Sequence, residues 1–487
     1  MIKNVNLDKS KIFLILVLSF IGGVAGRSFL KMDLVDFLVV SVVIIIILTV
    51  WYKNRVALFI VVMILFFILG AWRTNLKLSE IDTAKVNKEK FFGVVEIVKE
   101  PIRKNGHWEI ITSLPNKSRV LIKSYSLEKF NYGDEINLSC VLNKPKNFSD
   151  FNYQMYLAKD SIYYLCKKAK IEKTGKNKGN KIYVGILRLK NSMETVIERT
   201  ISQPEAGLAK GLLFGGSSHL PEKLKDNFSR TGMTHIVAVS GYNVTIIAEY
   251  LIYIGIFMGL WRKQAFYLAL IGIFVFVAMI GFPSSAVRAG VMGSLLLWAM
   301  KNGRLANANN AIIFSGGIML LINPLSLRWD IGFQLSFLAT LGIVQMSSIW
   351  ENYFNDKLRS IGLTEIILMT ISAQLFVLPI IAYNFKSLSV ISLLANLFIL
   401  PIIPLTMLFI FLTSFLGLIW FPLSLVFSWL SYISLRYEIE VINFLAKFSW
   451  ASLNMDSLPW FWVGAYYICI ISGIYFFKKR IKKKIIF

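Results

Sequence analysis

The chain runs to 487 residues, 56% of them hydrophobic, with a mean hydropathy of +0.61. Apolar residues at that share, gathered in long charge-free runs, exclude a protein whose main solvent is water. Lys and Arg exceed Asp and Glu by 53 to 28, a formal charge of +25; in a membrane protein such an excess belongs to cytoplasmic loops and to any basic domain outside the bilayer.

From the N-terminus, apolar stretches near 12–30, 34–52 and 56–74 approach the roughly 20 residues a helix needs to cross about 30 Å of hydrocarbon. No small-residue cleavage site follows the first, so the N-terminus is expected to be retained, and residues 1–75 read as three transmembrane helices. Residues 76–183 then turn polar. Between Leu76 and Glu205 there are 24 Lys/Arg against 15 Asp/Glu, which places much of the charge surplus in one soluble insert. Within it, Phe92-Gly93-Val94-Val95-Glu96-Ile97-Val98 and Arg119-Val120-Leu121-Ile122-Lys123 alternate at period two. Turn signals at Lys104-Asn105-Gly106 and Tyr132-Gly133-Asp134 separate the short strands. About five strands in about 80 residues predict a small all-β barrel of the oligonucleotide-binding (OB) type. Such barrels also serve as plain structural modules, so nucleic-acid contact and a spacer or plug role both stand.

The run Lys167 to Lys181 (KKAKIEKTGKNKGNK) reads as a flexible loop. Its Lys167, Lys168, Lys170 and Lys173 are candidate DNA contacts, beside the blander reading of a solvated charge run. Cys140 and Cys166 share the insert and form a candidate disulfide, which an extracytoplasmic location permits. Cys469, in the last span, reads as a buried small apolar residue. Residues 184–233 are expected to be an amphipathic, interfacial helical connector.

The second bundle, 234–477, offers spans near 234–260, 265–282, 285–301, 305–323, 329–349, 363–384, 388–419, 421–447 and 459–477, twelve in all with the first three. Arg436, Glu438 and Glu440 in 421–447 cannot face lipid, and Pro401 and Pro404 break 388–419. Lys53 and Arg55, Arg262 and Lys263, and Lys301 and Arg304 mark cytoplasmic connections, as does the basic tail 478–487 with its KKRIKKK run. Both termini then fall in the cytoplasm and the β insert outside it.

Three polar clusters interrupt the apolar bundle. In Thr234–Val244, His235, Ser240 and Asn243 sit in an apolar run beside Gly241, a glycine that permits a helix break; irregular backbone at membrane depth lines protein or a wet cavity. A packing seam of small residues is the competing reading. In Phe282–Gly290, Ser284 and Ser285 open a helix that carries Arg288 one turn in, to meet a phosphate or to snorkel. In Trp329–Phe337, Asp330 and Gln334 fall on one helical face at i and i+4, followed by Ser336, and Asp330 is a candidate counter-charge for Arg288. His107, His219 and His235 are too scattered for a metal set and no Walker-type loop is present, so no cofactor and no nucleotide or metal hydrolysis is expected.

The segments Thr234 to Val244, Phe282 to Ala289 and Asp330 to Ala339 resemble the signature blocks of the ComEC/Rec2 competence proteins, inner-membrane channels for imported DNA. The order of parts is similar too, including a barrel ending in Pro145…Phe148…Phe151-x-Tyr153-x-x-Tyr156-Leu157. Where many members carry a second histidine this chain has Asn243. A metallo-β-lactamase-like domain often found beyond the bundle has no counterpart before Phe487, so no nuclease is expected here. The resemblance implies an inner-membrane channel for single-stranded DNA, lined by the polar residues above and served by a separate DNA receptor, a cytoplasmic helicase-like motor and, where one exists, a separate nuclease. A secondary transporter of a small anion and a membrane scaffold for the external barrel are the alternatives.

Overall fold

The computed structural model describes all residues except 1–8, 31, 33, 52–53, 84–88, 105, 149–150, 168, 302–307, 354–361, 456–458 and 487. In chain order the helices are α1 (Lys9–Phe29), α2 (Leu34–Trp51), α3 (Arg55–Thr83), α4 (Tyr153–Ala158), α5 (Lys181–Thr200), α6 (Glu205–Phe214), α7 (Glu222–Arg230), α8 (Thr234–Val237), α9 (Gly241–Phe257) and α10 (Arg262–Met279). They continue with α11 (Ser284–Lys301), α12 (Ala308–Ile322), α13 (Ser326–Trp329), α14 (Ile331–Tyr353), α15 (Gly362–Phe385), α16 (Ser392–Ile399), α17 (Ile403–Ile419), α18 (Phe421–Ala446) and α19 (Trp460–Ile486). The strands are β1 (Glu89–Ile97), β2 (Ile102–Lys104), β3 (His107–Ser113), β4 (Arg119–Ser124), β5 (Asp134–Asn143), β6 (Ile162–Lys167), β7 (Lys170–Asn177), β8 (Ser387–Ser389) and β9 (Ser452–Asn454).

Among the described residues six helices are long and apolar enough to cross a membrane, or seven if the bent pair α16 and α17 is one span. This is a multi-pass membrane protein. The stretch 388–419 divides into β8, α16 and α17, the two helices meeting at 52° where Pro401 and Pro404 deny the backbone its hydrogen-bond donors. The topology markers Lys53 and Arg304 lie outside the described residues.

The chain forms two compact units, residues 1–180 with 306–334, and residues 181–305 with 335–487. In the first, α1 crosses α3 at a pair of glycines. A Cβ on Gly23 would stand 1.9 Å from the Phe67 carbonyl oxygen, and one on Gly70 would stand 2.2 Å from that of Phe20. Only hydrogen at both positions lets the backbones approach so closely. Beyond α3, strands β1, β3, β4, β6 and β5 pair in that order and β5 returns to β1, so five strands close a ring in which only β4 and β6 run parallel. Its core is Ile97, Ile110, Ile122, Ile136 and Leu138, joined by Leu325 from the α12–α13 turn. The Tyr163 hydroxyl donates to Glu80 at 3.0 Å, which fixes the barrel on the end of α3. Burial and the Glu80 carboxylate push the Tyr163 phenol well above its usual range.

The Lys-rich run is not a loop. Lys170–Asn177 forms β7, paired antiparallel with β5 from Ser139 to Asp134, because backbone pairing along that strand and the packing of Ile171 on the barrel core override the charge signal. Lys170 and Lys173 are exposed on it, Lys173 lying 3.7 Å from Asp134 and donating to the Lys129 carbonyl; Lys167 is exposed at the end of β6, and Lys168 lies outside the described residues. Cys140 of β5 and Cys166 of β6 are joined as a disulfide with Cα atoms 6.1 Å apart.

The second unit packs around α6, which is buried on every side within the apolar core shared by α5, α7, α8 and α16 to α18. Within the interval 184–233, α6 is thus part of the core. On α18, Ser424, Ser428, Ser431 and Ser434 recur at helical spacing and are buried. Glu438, 1% exposed, accepts a hydrogen bond from Thr406 of α17 at 2.7 Å. Arg436 pairs with the buried Glu205 at 3.1 Å and with Glu440 at 2.7 Å. Cys469 is exposed on α19 rather than buried, although Tyr466 and Tyr467 of the same helix donate to the Leu375 and Phe376 carbonyls of α15.

Candidate functional site

In the second unit the chain stops being helical at Ala238–Ser240, between α8 and α9. Ala238 and Ser240 are extended, with ψ of 107° and 168°. The freed groups are satisfied locally: Ser285 Oγ donates to the Val239 carbonyl at 2.6 Å, Ser240 Oγ to Asn243 Oδ1 at 2.9 Å, and Asn243 Nδ2 to the Leu212 carbonyl of α6 at 3.0 Å. Asn243 is 1% exposed, so its amide works as a clamp between α6 and α9.

Arg288 stands against this break. Its Nε donates to Ser336 Oγ at 2.6 Å, its Nη1 to Thr340 Oγ1 and toward Met292 Sδ at 3.6 Å, and its guanidinium lies 5.8 Å from the Phe337 ring centre. The residue is 8% exposed. Within its own unit, among the described residues, no carboxylate comes within 4.0 Å of it. A buried cation held by hydroxyls, a thioether and a ring is costly and exchangeable, since an arriving anion competes against neutral groups and not against a fixed carboxylate.

Gly241 serves a different purpose from the one its sequence position suggests. The break lies before it, and a Cβ on Gly241 would stand 3.0 Å from Arg288 Nη2 and 3.4 Å from Ala289 Cβ. The glycine makes room for the guanidinium. Ser285 opens α11 but spends its hydroxyl on Val239, not on capping. His235, exposed, faces the Gly232 carbonyl with Nδ1 at 3.0 Å and stands apart from the seam.

Asp330 and Gln334 belong to the first unit. Asp330 is not on a helical face: it is extended between α13 and α14, its Oδ1 accepts from the Phe333 amide at 3.2 Å as an N-cap, and Lys159 lies 3.9 Å away. Gln334 folds back onto the carbonyls of Leu327 and Arg328 at 2.9 and 3.0 Å. The counter-charge expected at Arg288 is thus engaged with the barrel. There Lys99 meets Asp160 at 2.9 Å and Lys159 meets it at 3.1 Å. Burial works against the Asp160 carboxylate, but Lys159 and Lys99 hold it below the usual range.

The sequence therefore named Ser240, Gly241, Asn243, Ser285, Arg288 and Ser336 as candidates, and the second unit brings them together, with His235 of the same unit apart from them; Asp330 and Gln334 belong to the first unit. Thr340 and Met292 were missed, although each stands one helical turn past a named residue and i to i+4 spacing would have found them. Among the described residues no group of three His, Cys, Asp or Glu forms a metal set.

The Competence protein family matches residues 212–480, more than half of the chain and the whole of this seam. The chain belongs to that family, the ComEC/Rec2 group. ComE operon protein 3 of Bacillus subtilis is 28% identical to this competence protein over 269 residues, which cover 53% of the present chain and 33% of that relative. The matched part is about a third of the relative's length. No solved structure matches the competence protein.

Proposed function

We propose that this competence protein is an inner-membrane channel through which single-stranded DNA enters the cell during natural transformation. The observation that carries the reading is Arg288, a guanidinium inside a membrane bundle, beside a broken helix, with only neutral partners among the described residues of its unit. A polyanion with apolar base faces needs a basic guide, aromatic surfaces and a polar path. The Arg288 seam offers the last, and the family match supports the cargo. The ring order of the β domain agrees with an OB-type barrel. In this reading the barrel lies outside the cytoplasm, both termini lie within it, and the strand passes from barrel to bundle. Ser240, Asn243, Ser284, Ser285 and Ser336 flank the path and Arg288 meets phosphates; Asp330, Gln334 and His235 act at its approaches. Lys167, Lys168, Lys170 and Lys173 guide the strand outside. Force comes from a separate cytoplasmic helicase-like motor, loading from a separate DNA receptor, and any strand degradation from a separate nuclease.

The test is uptake of labelled DNA by cells carrying Arg288→Ala as their sole copy. Transformation should vanish while the amount of protein in the membrane stays the same. Undiminished uptake would remove Arg288 from the path. Loss of growth on a small anionic solute would favour a secondary transporter, and rescue by the first three helices with the barrel alone would favour a scaffold.

A further inference from the structure

Four aromatic rings stand in a row on the barrel, in the connection from β5 to β6. Phe148 lies 5.6 Å from Tyr153, Tyr153 stacks on Tyr156 at 6.3 Å with 17° between their planes, and Tyr156 meets Phe151 at 5.4 Å. The loop that carries them is built. Phe148 and Phe151 exchange backbone hydrogen bonds, Asn152 Oδ1 caps α4 by accepting from the Met155 amide at 3.0 Å, and Asn147 Oδ1 accepts from the Gln154 amide at 3.0 Å. Beneath the row, Tyr153 and Leu157 pack with Ile111 and Leu121, which seats it on the outer side of β3 and β4. Outward, Phe148 is 65% exposed, Phe151 39% and Tyr156 38%. Apolar rings are costly to leave in water, so a row of them on a loop fixed by its own hydrogen bonds calls for an occupant.

Charge says which one. Lys144 and Lys146 precede the row, and Lys159 Nζ stands 5.0 Å from the Tyr156 ring centre. Lys99, on the connection from β1 to β2, reaches Asp160 at the far end of the aromatic loop and draws the two connections together. In the ring of five strands, β3 and β4 are the second and third in chain order, and the aromatic loop joins the fourth to the fifth. Barrels with this layout take oligonucleotides on the face of those two strands and on the first-to-second and fourth-to-fifth loops.

We propose that Phe148, Phe151, Tyr153 and Tyr156 form a stacking platform for the bases of an unpaired polynucleotide, with Lys144 and Lys146 on its phosphates. The proposal rests on the reading that the protein imports single-stranded DNA, and it names where the strand first docks. Stacking on rings tolerates every base, as import of arbitrary sequence requires. A lipid surface is the competing occupant, because Tyr and Trp also gather at headgroup level.

The full-length protein in phosphatidylcholine nanodiscs would be titrated with a labelled oligothymidylate at each of several salt concentrations. Phe148→Ala and Tyr156→Ala should each weaken binding by about five-fold or more, Phe148→Trp should restore it, and Lys146→Ala should flatten the salt dependence. On the unaltered protein, photocrosslinks from 5-iodouracil should fall within residues 144–159. Ring variants that bind as tightly as the parent, or crosslinks confined to β6 and β7, would overturn the platform alone if the parent still binds and imports DNA. Quenching of ring fluorescence by brominated lipid, with oligonucleotide binding unmoved, would assign the row to the membrane. A parent that binds no oligonucleotide would bring down both the platform and the import reading.

Discussion

Replacing Arg288 by Met separates a functional charge from a structural one. Removing a guanidinium from water costs several kcal/mol even after relaxation. In return Arg288 makes hydrogen bonds to Ser336 and Thr340, about 1.5–3 kcal/mol each for a charged donor, and a ring contact with Phe337 of about 1 kcal/mol. Cost and gain nearly cancel. Met fills a similar volume, and Thr340 keeps a partner because its hydroxyl already donates to the Ser336 carbonyl at 2.9 Å. Arg288→Met should therefore change the stability of the detergent-solubilised protein by no more than about 1–2 kcal/mol, while transformation falls to background. Arg288→Lys should rescue only in part, because an ammonium on a flexible stem lacks the planar fork that reaches both hydroxyls. A Met variant that unfolds several kcal/mol more easily would refute the reasoning and make Arg288 a staple of the bundle; one that transforms normally would refute the assigned role.

Three further outcomes follow from particular contacts. Gly70→Ala should force α1 and α3 apart and cost about 3 kcal/mol or more, read as lost assembly in mild detergent, whereas Gly464→Ala, with nothing within 4 Å of the new methyl, should be silent. His219 is held neutral down to about 4, first by burial and then by Lys210, whose Nζ lies 3.1 Å from Nδ1; its folded value is depressed below the unfolded 6.5, so the stability it contributes is present above pH 6.5 and lost as the pH falls toward 4. Thermal midpoints at pH 5 and 7.5 should differ less in His219→Gln than in the parent; an equal difference excludes the group. Cys140→Ser with Cys166→Ser opens a closure spanning 26 residues and should destabilise the barrel by about 3 kcal/mol, seen as faster proteolysis of its strands; unchanged proteolysis, or ready alkylation of both thiols in the parent without reductant, would contradict it.

What the sequence revealed depended on the range of the interaction. Apolar runs, period-two alternation and the polar clusters are local patterns, so the membrane class, the barrel and the Ser240–Arg288 neighbourhood were legible. Pairings across the chain were not. Nothing in the spacing of Asp330 and Arg288 says that Lys159, some 170 residues before Asp330, lies 3.9 Å from that carboxylate. The Lys-rich run carried the charge signature of a loop, and only the partner strand β5 makes a strand of it.

Gly241 shows the same limit from the other side, because a glycine beside a helix break invites the inference that it causes the break. The backbone at Ala238 and Ser240 is extended without any help from Gly241, whose missing side chain leaves 3.0 Å to a guanidinium 47 residues away. Glu438 makes the complementary point. Its exclusion from lipid follows from charge alone, and the four serines that recur along α18 mark the face of that helix from which it points inward. The neighbour that receives it, Thr406 at 2.7 Å, is fixed by the break at Pro401 and Pro404, which sets where α17 begins and so which of its hydroxyls comes level with the carboxyl. A local rule thus states that a polar group must be satisfied; the partner is chosen by where a neighbouring helix starts.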